Sequence, residues 1–255
     1  MRFEMPNQSE IKQWSQIRVA ISRFSQLLAI CGAMVFALGC RSNSVGKNGT
    51  YPVPVLHFIS KSLLSSADFT NAVGLPPTND MTLKEDAEAV KQAARNAPAG
   101  SQAYLHASTQ EALTVNVVNG ILGPWFQVAA FPTTSNLLQN AFEDTWQAAH
   151  RAKDIHFRPR PDPMVPTSSY PSAHAVEGAV LAAILFQLDP TCQPALDTLT
   201  KDIGRNRLIL QKHYPSDVKA GQVLGAWLAN QIRRSENFCT EFEAAEKELA
   251  PHLKR

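Results

Sequence analysis

The sequence predicts an all-α protein folded as a compact helical bundle. Apolar residues recur at intervals of three and four along several segments, which is the spacing of one helix face. Strand signals are scarce, and the best of them, TVNVV at 114–118, is ambiguous between helix and strand. With 255 residues, of which 44% are hydrophobic, the chain is long enough to bury a substantial core in one domain.

The helices are predicted from their start signals and their periodicity. Thr82 followed by Glu85 fits a capping box, and apolar residues continue from there at helical spacing. Further helices are predicted at about 104–119, 136–153, 174–188, 194–212, 217–234 and 237–249. In the mature chain no apolar run approaches the length of a membrane span, about 20 residues.

The N-terminal segment has the composition of an export signal. Basic residues precede the uncharged stretch FSQLLAICGAMVFALG at 24–39, which is short for a membrane span. The sequence FALGC resembles the lipobox of bacterial lipoproteins, in which cleavage precedes a lipidated cysteine, here Cys40; Ala37 stands where leucine is more usual. A plain signal peptide and an uncleaved anchor are the alternatives.

The chain is therefore divided into three parts. Residues 1–39 are predicted to be a lipoprotein-type signal peptide, 40–70 a tether rich in Ser and Asn, and 71–255 the helical domain. The predicted location is the bacterial periplasm, with the lipid in the outer membrane, because Arg41 rather than aspartate follows the cysteine. The net charge of +2 belongs to the leader, so charge gives no argument for a nucleic-acid partner.

Two cysteines, Cys192 and Cys239, lie in the predicted domain. In an exported protein such a pair forms a disulfide or remains as two unpaired thiols, and the sequence leaves both alternatives open because it does not supply the geometry. No cluster of cysteine and histidine has the spacing of a zinc site.

Polar residues concentrate in three short segments between the predicted helices. The segments are KDIHFRPRPDP at 153–163, SSYPSAHA at 168–175 and GRNRLILQKHYPSD at 204–217. The second enters a helix, whose N-terminal N–H groups favour anions. The cations of these segments, together with His174, His213 and the carboxylate of Asp217, form a set that suits a multiply charged oxyanion better than a metal ion.

The three segments resemble the signature of the phosphatidic-acid-phosphatase type 2 superfamily, K-x6-RP, PSGH and SR-x5-H-x3-D. This group includes the class A bacterial acid phosphatases, which the chain resembles most over about 70–250, and the vanadium haloperoxidases. The matching residues are Lys153, Arg160 and Pro161; then Pro171, Ser172, Ala173 and His174; then Asn206, Arg207, His213 and Asp217. Ala173 replaces the glycine of the motif, and Asn206 replaces its serine.

The resemblance implies a phosphatase that needs no metal or other cofactor and that vanadate inhibits. By this resemblance His213 is the nucleophile, Asp217 accepts a hydrogen bond from its ring, and His174 is the general acid and base. The residues expected to hold phosphate are Lys153, Arg160, Ser172, Ala173 and Arg207. His156 and Arg158, which lie between motif residues, are interpreted as exposed loop residues.

The expected substrates are small phosphomonoesters, with no binding of polymeric nucleic acid and contact with a membrane only through the N-terminal lipid. Three other functions remain open at this point. They are a vanadium-dependent haloperoxidase, an inactive anion-binding envelope lipoprotein in which Ala173 and Asn206 mark decay, and a lipid phosphatase held at the membrane by Cys40. The oligomeric state is also left open.

Overall fold

A computed structural model describes residues 55–253; the predicted leader, Cys40 and residues 40–54 of the predicted tether lie outside this range. Within it the protein consists of eight α-helices joined by loops and short 3-10 turns, with no β-strand. The prediction of an all-α bundle is thus confirmed. The helices are α1 Ser66–Val73, α2 Asp80–Asn96, α3 Gln102–Thr109, α4 Pro132–Ile155, α5 Ala173–Leu188, α6 Gln193–Ile209, α7 Pro215–Ile232 and α8 Glu236–Leu249.

Helix α5 forms the centre of the bundle. Its apolar residues are not confined to one face, which is typical of a helix that is buried on several sides. It packs most extensively against α7 and also contacts α4 and α6, while α8 covers the other side of α4. The fully buried side chains of Leu181, Ile184 and Leu185 lie along it.

Glycines on α7 allow an unusually close approach to α5. A Cβ atom added at Gly221 would lie 2.5 Å from the carbonyl oxygen of Ser172, and one at Gly225 would lie 2.6 Å from that of Val176. The two helix N-termini therefore lie side by side, and the Ser172 N–H donates to the carbonyl oxygen of Asp217 at 3.0 Å. This contact joins two of the three polar segments.

The folded unit begins earlier than the sequence predicts. Phe58, Ile59 and Phe69, all within the predicted tether, are buried in the main core. Asp144 on α4 fixes this segment by accepting the backbone N–H groups of Phe58 and Ile59 at 2.7 and 2.9 Å. The domain therefore extends from residue 55 rather than 71. The sequence predicts a tether there because most neighbours of these apolar residues in 40–70 are polar.

Two helix predictions also differ from the structure. Helix α2 begins before Thr82, because Asn79 is its N-cap and accepts the Thr82 N–H at 2.8 Å. The predicted helix 104–119 is interrupted: α3 ends at Thr109, and Val115–Val118 forms a 3-10 turn rather than a strand. The interruption leaves Gln110 and Glu111 in a loop whose carbonyl groups reach the polar segments.

Between residues 55 and 253, no helix is long and apolar enough to cross a bilayer. The same range contains no group of three or more His, Cys, Asp and Glu side chains arranged to hold a metal ion.

Candidate active site

The three polar segments converge on one site. Lys153, in the last turn of α4, donates from Nζ to the carbonyl oxygens of Ser168 and Pro171 at 3.0 and 2.6 Å. Arg160, from the loop after α4, contacts His213, from the loop before α7, with 3.2 Å between Nη1 and Nε2. Side chains that are far apart in sequence thus meet at the N-termini of α5 and α7.

The hydrogen bonds of His213 define its tautomer. Its Nδ1 lies 2.7 Å from the carbonyl oxygen of Ser169, and because a carbonyl only accepts, Nδ1 carries the proton. Arg160 only donates, so the 3.2 Å contact with Nε2 requires a lone pair on that nitrogen. The ring is buried and neutral, and its unprotonated Nε2 accepts from the Arg160 guanidinium group.

Asp217 does not make the hydrogen bond to His213 that the resemblance implied. Its Oδ2 lies 3.8 Å from Nδ1, which is beyond hydrogen-bond length. The Nδ1–H group donates its hydrogen bond to the Ser169 carbonyl oxygen instead. Asp217 accepts from Nη1 of Arg158 at 2.6 Å and from the backbone N–H of Tyr214 at 2.8 Å. Its carboxylate therefore fixes the loop that carries His213 and supplies negative charge near the ring, without touching it directly.

Arg158 links this part of the site to α2. Its Nη2 donates to Asp86 at 2.8 Å, its Nη1 contacts Asp217 and Ser216, and its guanidinium lies 4.2 Å from the centre of the Tyr214 ring. Asp86 also accepts from the backbone and side chain of Ser216. The interpretation of Arg158 as an exposed loop residue is wrong, because its side chain is buried and forms ion pairs with Asp86 and Asp217.

His156 is likewise buried rather than exposed. Its Nε2 lies 2.9 Å from Oγ1 of Thr70 on α1, at the edge of the core. No sequence pattern indicates this contact, because Thr70 lies in the segment that was predicted to be a tether.

His174, in the first turn of α5, occupies a different environment from His213. The ring is partly exposed, and Nε2 lies 3.1 Å from the carbonyl oxygen of Glu111, so Nε2 carries a proton. Its Nδ1 faces Oε2 of Glu177 across 3.9 Å. Glu177 is buried, lies one turn further along α5, and was not singled out in the sequence.

Arg207 reaches the site from the last turn of α6. Its Nη1 donates to the carbonyl oxygen of Gln110 at 2.9 Å, and Nδ2 of Asn206 donates to the Gln110 side chain at 2.9 Å. The loop at 110–111 is therefore a fourth component of the site. No sequence pattern predicts this component, because Arg207 and His174 contact its backbone carbonyl groups rather than its side chains.

Two buried polar atoms have no hydrogen-bond partner within residues 55–253, namely Ser172 Oγ and Arg207 Nε. Buried polar groups normally find partners, so unpaired donors at a site of converging cations indicate a place for an oxygen-rich ligand. Ala173 is the first residue of α5, where the backbone N–H has no partner within the helix. Its φ is not positive, so replacement of the motif glycine by alanine leaves this N–H available.

Burial and neighbouring charges lower the pKa values of the basic side chains in the site. Burial, followed by the charges of Lys153 and Arg160, lowers the pKa of His213 to about 3. Burial, followed by the charge of Arg207, lowers the pKa of His174 to about 4. Burial and the neighbouring Arg160 lower the pKa of Lys153 to about 7, and burial lowers that of Arg207 to about 10. Such crowding of cations is relieved by a bound anion.

The pKa values of the two carboxyl groups near the histidines shift in opposite directions. Burial raises the pKa of Glu177 to about 7, against the opposing effects of Arg207 and Lys153. Burial also acts to raise the pKa of Asp217, but the neighbouring His213 ring, the Tyr214 N–H and Arg158 outweigh it and hold that pKa below its usual value.

The disulfide alternative is not realised. Cys192 is buried with its Sγ 3.8 Å from the Leu185 carbonyl oxygen, and Cys239 is exposed on α8; both are free thiols. Burial, followed by the charge of Asp189, raises the pKa of Cys192 to about 11, which makes it an inert thiol.

Comparison with known proteins identifies bacterial acid phosphatases as relatives. The chain is 26% identical to a non-specific acid phosphatase of Providencia stuartii over 171 residues, which is 61% of this chain and 69% of the relative. It is 25% identical to an acid phosphatase of Zymomonas mobilis over 246 residues, 91% of both chains. A non-specific acid phosphatase of Salmonella typhi is 28% identical over 59% of this chain and 68% of its own length. No protein-family profile matches the chain. The relatives confirm the resemblance to non-specific acid phosphatases on which the sequence analysis relied.

Proposed function

We propose that this relative of the bacterial acid phosphatases is a phosphoric monoester hydrolase that acts through a phosphohistidine on Nε2 of His213. The observation that carries the proposal is the pair of contacts on that ring: Nδ1–H to the Ser169 carbonyl and the Nε2 lone pair beside Arg160. A neutral imidazole fixed in this tautomer has its nucleophilic nitrogen where an anionic phosphoryl group is attracted.

Phosphate binding is assigned to the cations and the helix N-terminus around Nε2. Arg160, Arg207 and Lys153 neutralise the phosphoryl oxygens, and the unpaired Ser172 hydroxyl and the Ala173 N–H complete the set of donors. Positioned donors of this kind stabilise charge that develops in the transition state, and loss of one typically costs about 10²–10³ in rate.

The reaction then has two balanced steps. In the first, Nε2 of His213 attacks phosphorus, the bond from phosphorus to the ester oxygen breaks, and that oxygen takes the proton from Nε2 of His174. Because the His174 ring is neutral before this step, its Nδ1 gains a proton from a neighbouring acid as Nε2 releases its own. In the second, His174 removes a proton from water, the resulting hydroxide attacks phosphorus, and the bond between phosphorus and His213 breaks. Inorganic phosphate leaves, and both imidazoles return to their starting protonation states.

The pKa shifts favour work at acidic pH. His213 with a pKa of about 3 stays unprotonated and nucleophilic in acid, where an ordinary histidine would be a cation. Lys153 with a pKa of about 7 gains its full charge as the pH falls below neutrality. The protonation of Lys153 increases phosphate binding as the pH falls through 7, and the low pKa of His213 prevents a loss of the nucleophile down to about pH 4, so we expect an acidic optimum.

The remaining parts of the proposal concern the substrates, the inhibitor and the location of the protein. Small phosphomonoesters are the proposed substrates, no metal ion takes part, and vanadate inhibits by occupying the phosphate site. The protein is proposed to be exported and held in the periplasm by a lipid on Cys40. Treating the purified protein with a chelator should leave the rate unchanged, and a loss restored by a divalent cation would contradict the metal-free mechanism.

The central test is hydrolysis of p-nitrophenyl phosphate by the wild type and by His213→Ala. The substitution should lower kcat by about 10⁴-fold or more, because the nucleophile is removed. His156→Ala is the matched control, since His156 is an equally buried histidine that bonds Thr70 outside the site. Equal rates for the wild type and His213→Ala would refute the phosphohistidine mechanism. Activation by vanadate with peroxide and bromide would instead indicate a haloperoxidase.

A further inference from the structure

Glu177 is a buried ionisable group beside the motif residues to which the reaction above assigns no task. Its side chain is 3% exposed, and within the described part of the chain its carboxyl group makes no hydrogen bond. Burying a carboxyl group without a hydrogen-bond partner is costly, so its presence calls for a compensating role.

The surroundings of Glu177 connect it to the general acid. Its Oε2 faces Nδ1 of His174 at 3.9 Å from the next turn of the same helix. The other charged groups that act on it are Arg207 from α6 and Lys153 from α4, both assigned to phosphate binding. A carboxylate formed at this position is stabilised by the positive charges of both side chains, although neither pairs with it directly.

We propose that Glu177 is a positioning residue for His174, holding the proton that Nδ1 receives when Nε2 releases its own. This inference rests on the proposed function, because it assigns a task within the same reaction. Nε2 of His174 carries a proton in the unliganded site, where the Glu111 carbonyl accepts it. Nδ1 therefore has a lone pair on the side of Glu177, which in its neutral form has an O–H. The two atoms lie 3.9 Å apart in the unliganded site, so the side chains must approach each other by about 1 Å for the proton to pass.

The proton balance of the step is complete. As the ester oxygen leaves, it takes the Nε2 proton, and the Glu177 O–H proton moves to Nδ1, so the ring remains neutral. Glu177 becomes a carboxylate that the positive charges of Arg207 and Lys153 stabilise. When water attacks the phosphohistidine, Nε2 takes a proton from water and Nδ1 returns its proton to Glu177. Burial raises the pKa of Glu177 to about 7, so the proton is present at acidic pH.

The proposal predicts a dependence on the leaving group that a structural role does not produce. An alkoxide such as that from glycerol 2-phosphate needs a proton as it departs, whereas p-nitrophenolate leaves readily without one. Glu177→Gln keeps the size and polarity of the side chain but supplies no acidic proton. At pH 5 it should lower kcat/KM for glycerol 2-phosphate about 10-fold or more and that for p-nitrophenyl phosphate less than about 3-fold. Inhibition by inorganic phosphate should be unchanged.

Two further variants make the test decisive. Glu243→Gln changes an exposed glutamate on α8 and should alter neither substrate. In His174→Asn the additional Glu177→Gln change should have no effect on either substrate, because Glu177 acts through His174. If Glu177→Gln does not fold, Glu177→Asp serves in its place, with a shorter acid and the same selective loss.

The outcomes separate this inference from the proposed function. Hydrolysis of both substrates by the wild type, with equal loss for both in the Glu177 variants, overturns the role of Glu177 and leaves the phosphatase proposal intact. A wild type that hydrolyses neither substrate overturns the phosphatase proposal itself. A selective loss for glycerol 2-phosphate supports both.

Discussion

Asp217 and Glu177 are both buried carboxyl groups, each in the first turns of a helix and three or four residues after a motif histidine. Asp217 lies 3.8 Å from Nδ1 of His213, and Glu177 lies 3.9 Å from Nδ1 of His174. Asp217 accepts hydrogen bonds from Arg158 and from the Tyr214 N–H, whereas Glu177 accepts none within residues 55–253. The pKa of Asp217 is accordingly lowered, and that of Glu177 is raised to about 7.

The difference teaches that burial alone does not decide the charge of a carboxyl group. Hydrogen bonds and a direct ion pair stabilise the ionised form of Asp217 more than burial penalises it. Glu177 has only distant cations, so burial prevails and favours the neutral form. One site thus contains a permanent anion beside the proposed nucleophile and a group able to hold a proton beside the proposed general acid.

The largest expected effect comes from removing the permanent anion. Asp217→Ala leaves Arg158 buried with Asp86 alone, and breaking a buried pair typically costs about 3–5 kcal/mol. Urea unfolding at pH 7 should show a loss of this size in the free energy of unfolding, and kcat should fall because the His213 loop loses its anchor. A change below about 1 kcal/mol would mean that Asp86 alone satisfies Arg158.

The next effect tests whether the two histidines depend on close contact between α5 and α7. Gly221→Ala places a methyl group 2.5 Å from the Ser172 carbonyl, and Gly225→Ala places one 2.6 Å from that of Val176. Each should lower the free energy of unfolding by about 1–3 kcal/mol through overpacking. Only Gly221→Ala should also lower kcat/KM strongly, because Ser172 belongs to the phosphate site. Equal kinetic losses in both variants would show that the helices move as one unit.

The smallest effect concerns stability as a function of pH. The folded-state pKa of Glu177, about 7, exceeds its ordinary value of 4.5, so its contribution to stability is complete below pH 4.5 and is lost as the pH rises through 7. Glu177→Gln does not ionise and escapes this loss. Its urea midpoint should match that of the wild type at pH 4.5 and exceed it at pH 8, with Glu243→Gln as the unchanged control. A lower midpoint at pH 8 would show that the carboxylate is well stabilised after all.

His213 and His174 give stability the opposite dependence on pH. Their folded-state pKa values of about 3 and 4 lie below the ordinary 6.5, so their contribution is present above pH 6.5 and is lost as the pH falls through 4 and then 3. The Glu177 comparison therefore compares variant and wild type at each pH, which cancels the contribution of the histidines.

The motifs were sufficient to indicate which residues meet. Lys153, Arg160, His213 and the start of α5 were singled out from residue types and spacing alone, and the structure brings them together. The exposure of Arg158 was mispredicted, because its partner Asp86 lies on α2 and no local pattern connects the two. The early start of the domain was missed because Phe58 and Phe69 stand among polar residues.

The sequence by itself determined the helical bundle, the placement of the polar segments at helix ends and the relation to acid phosphatases. Periodicity and capping act within a few residues, so a linear pattern contains them. The tertiary structure alone decided the partner of each buried group: Ser169 rather than Asp217 for His213, Arg158 for Asp217, and the carbonyl groups of the 110–111 loop for Arg207 and His174. These partners are largely backbone carbonyl groups, which every residue carries alike, so only the folded path of the chain selects among them.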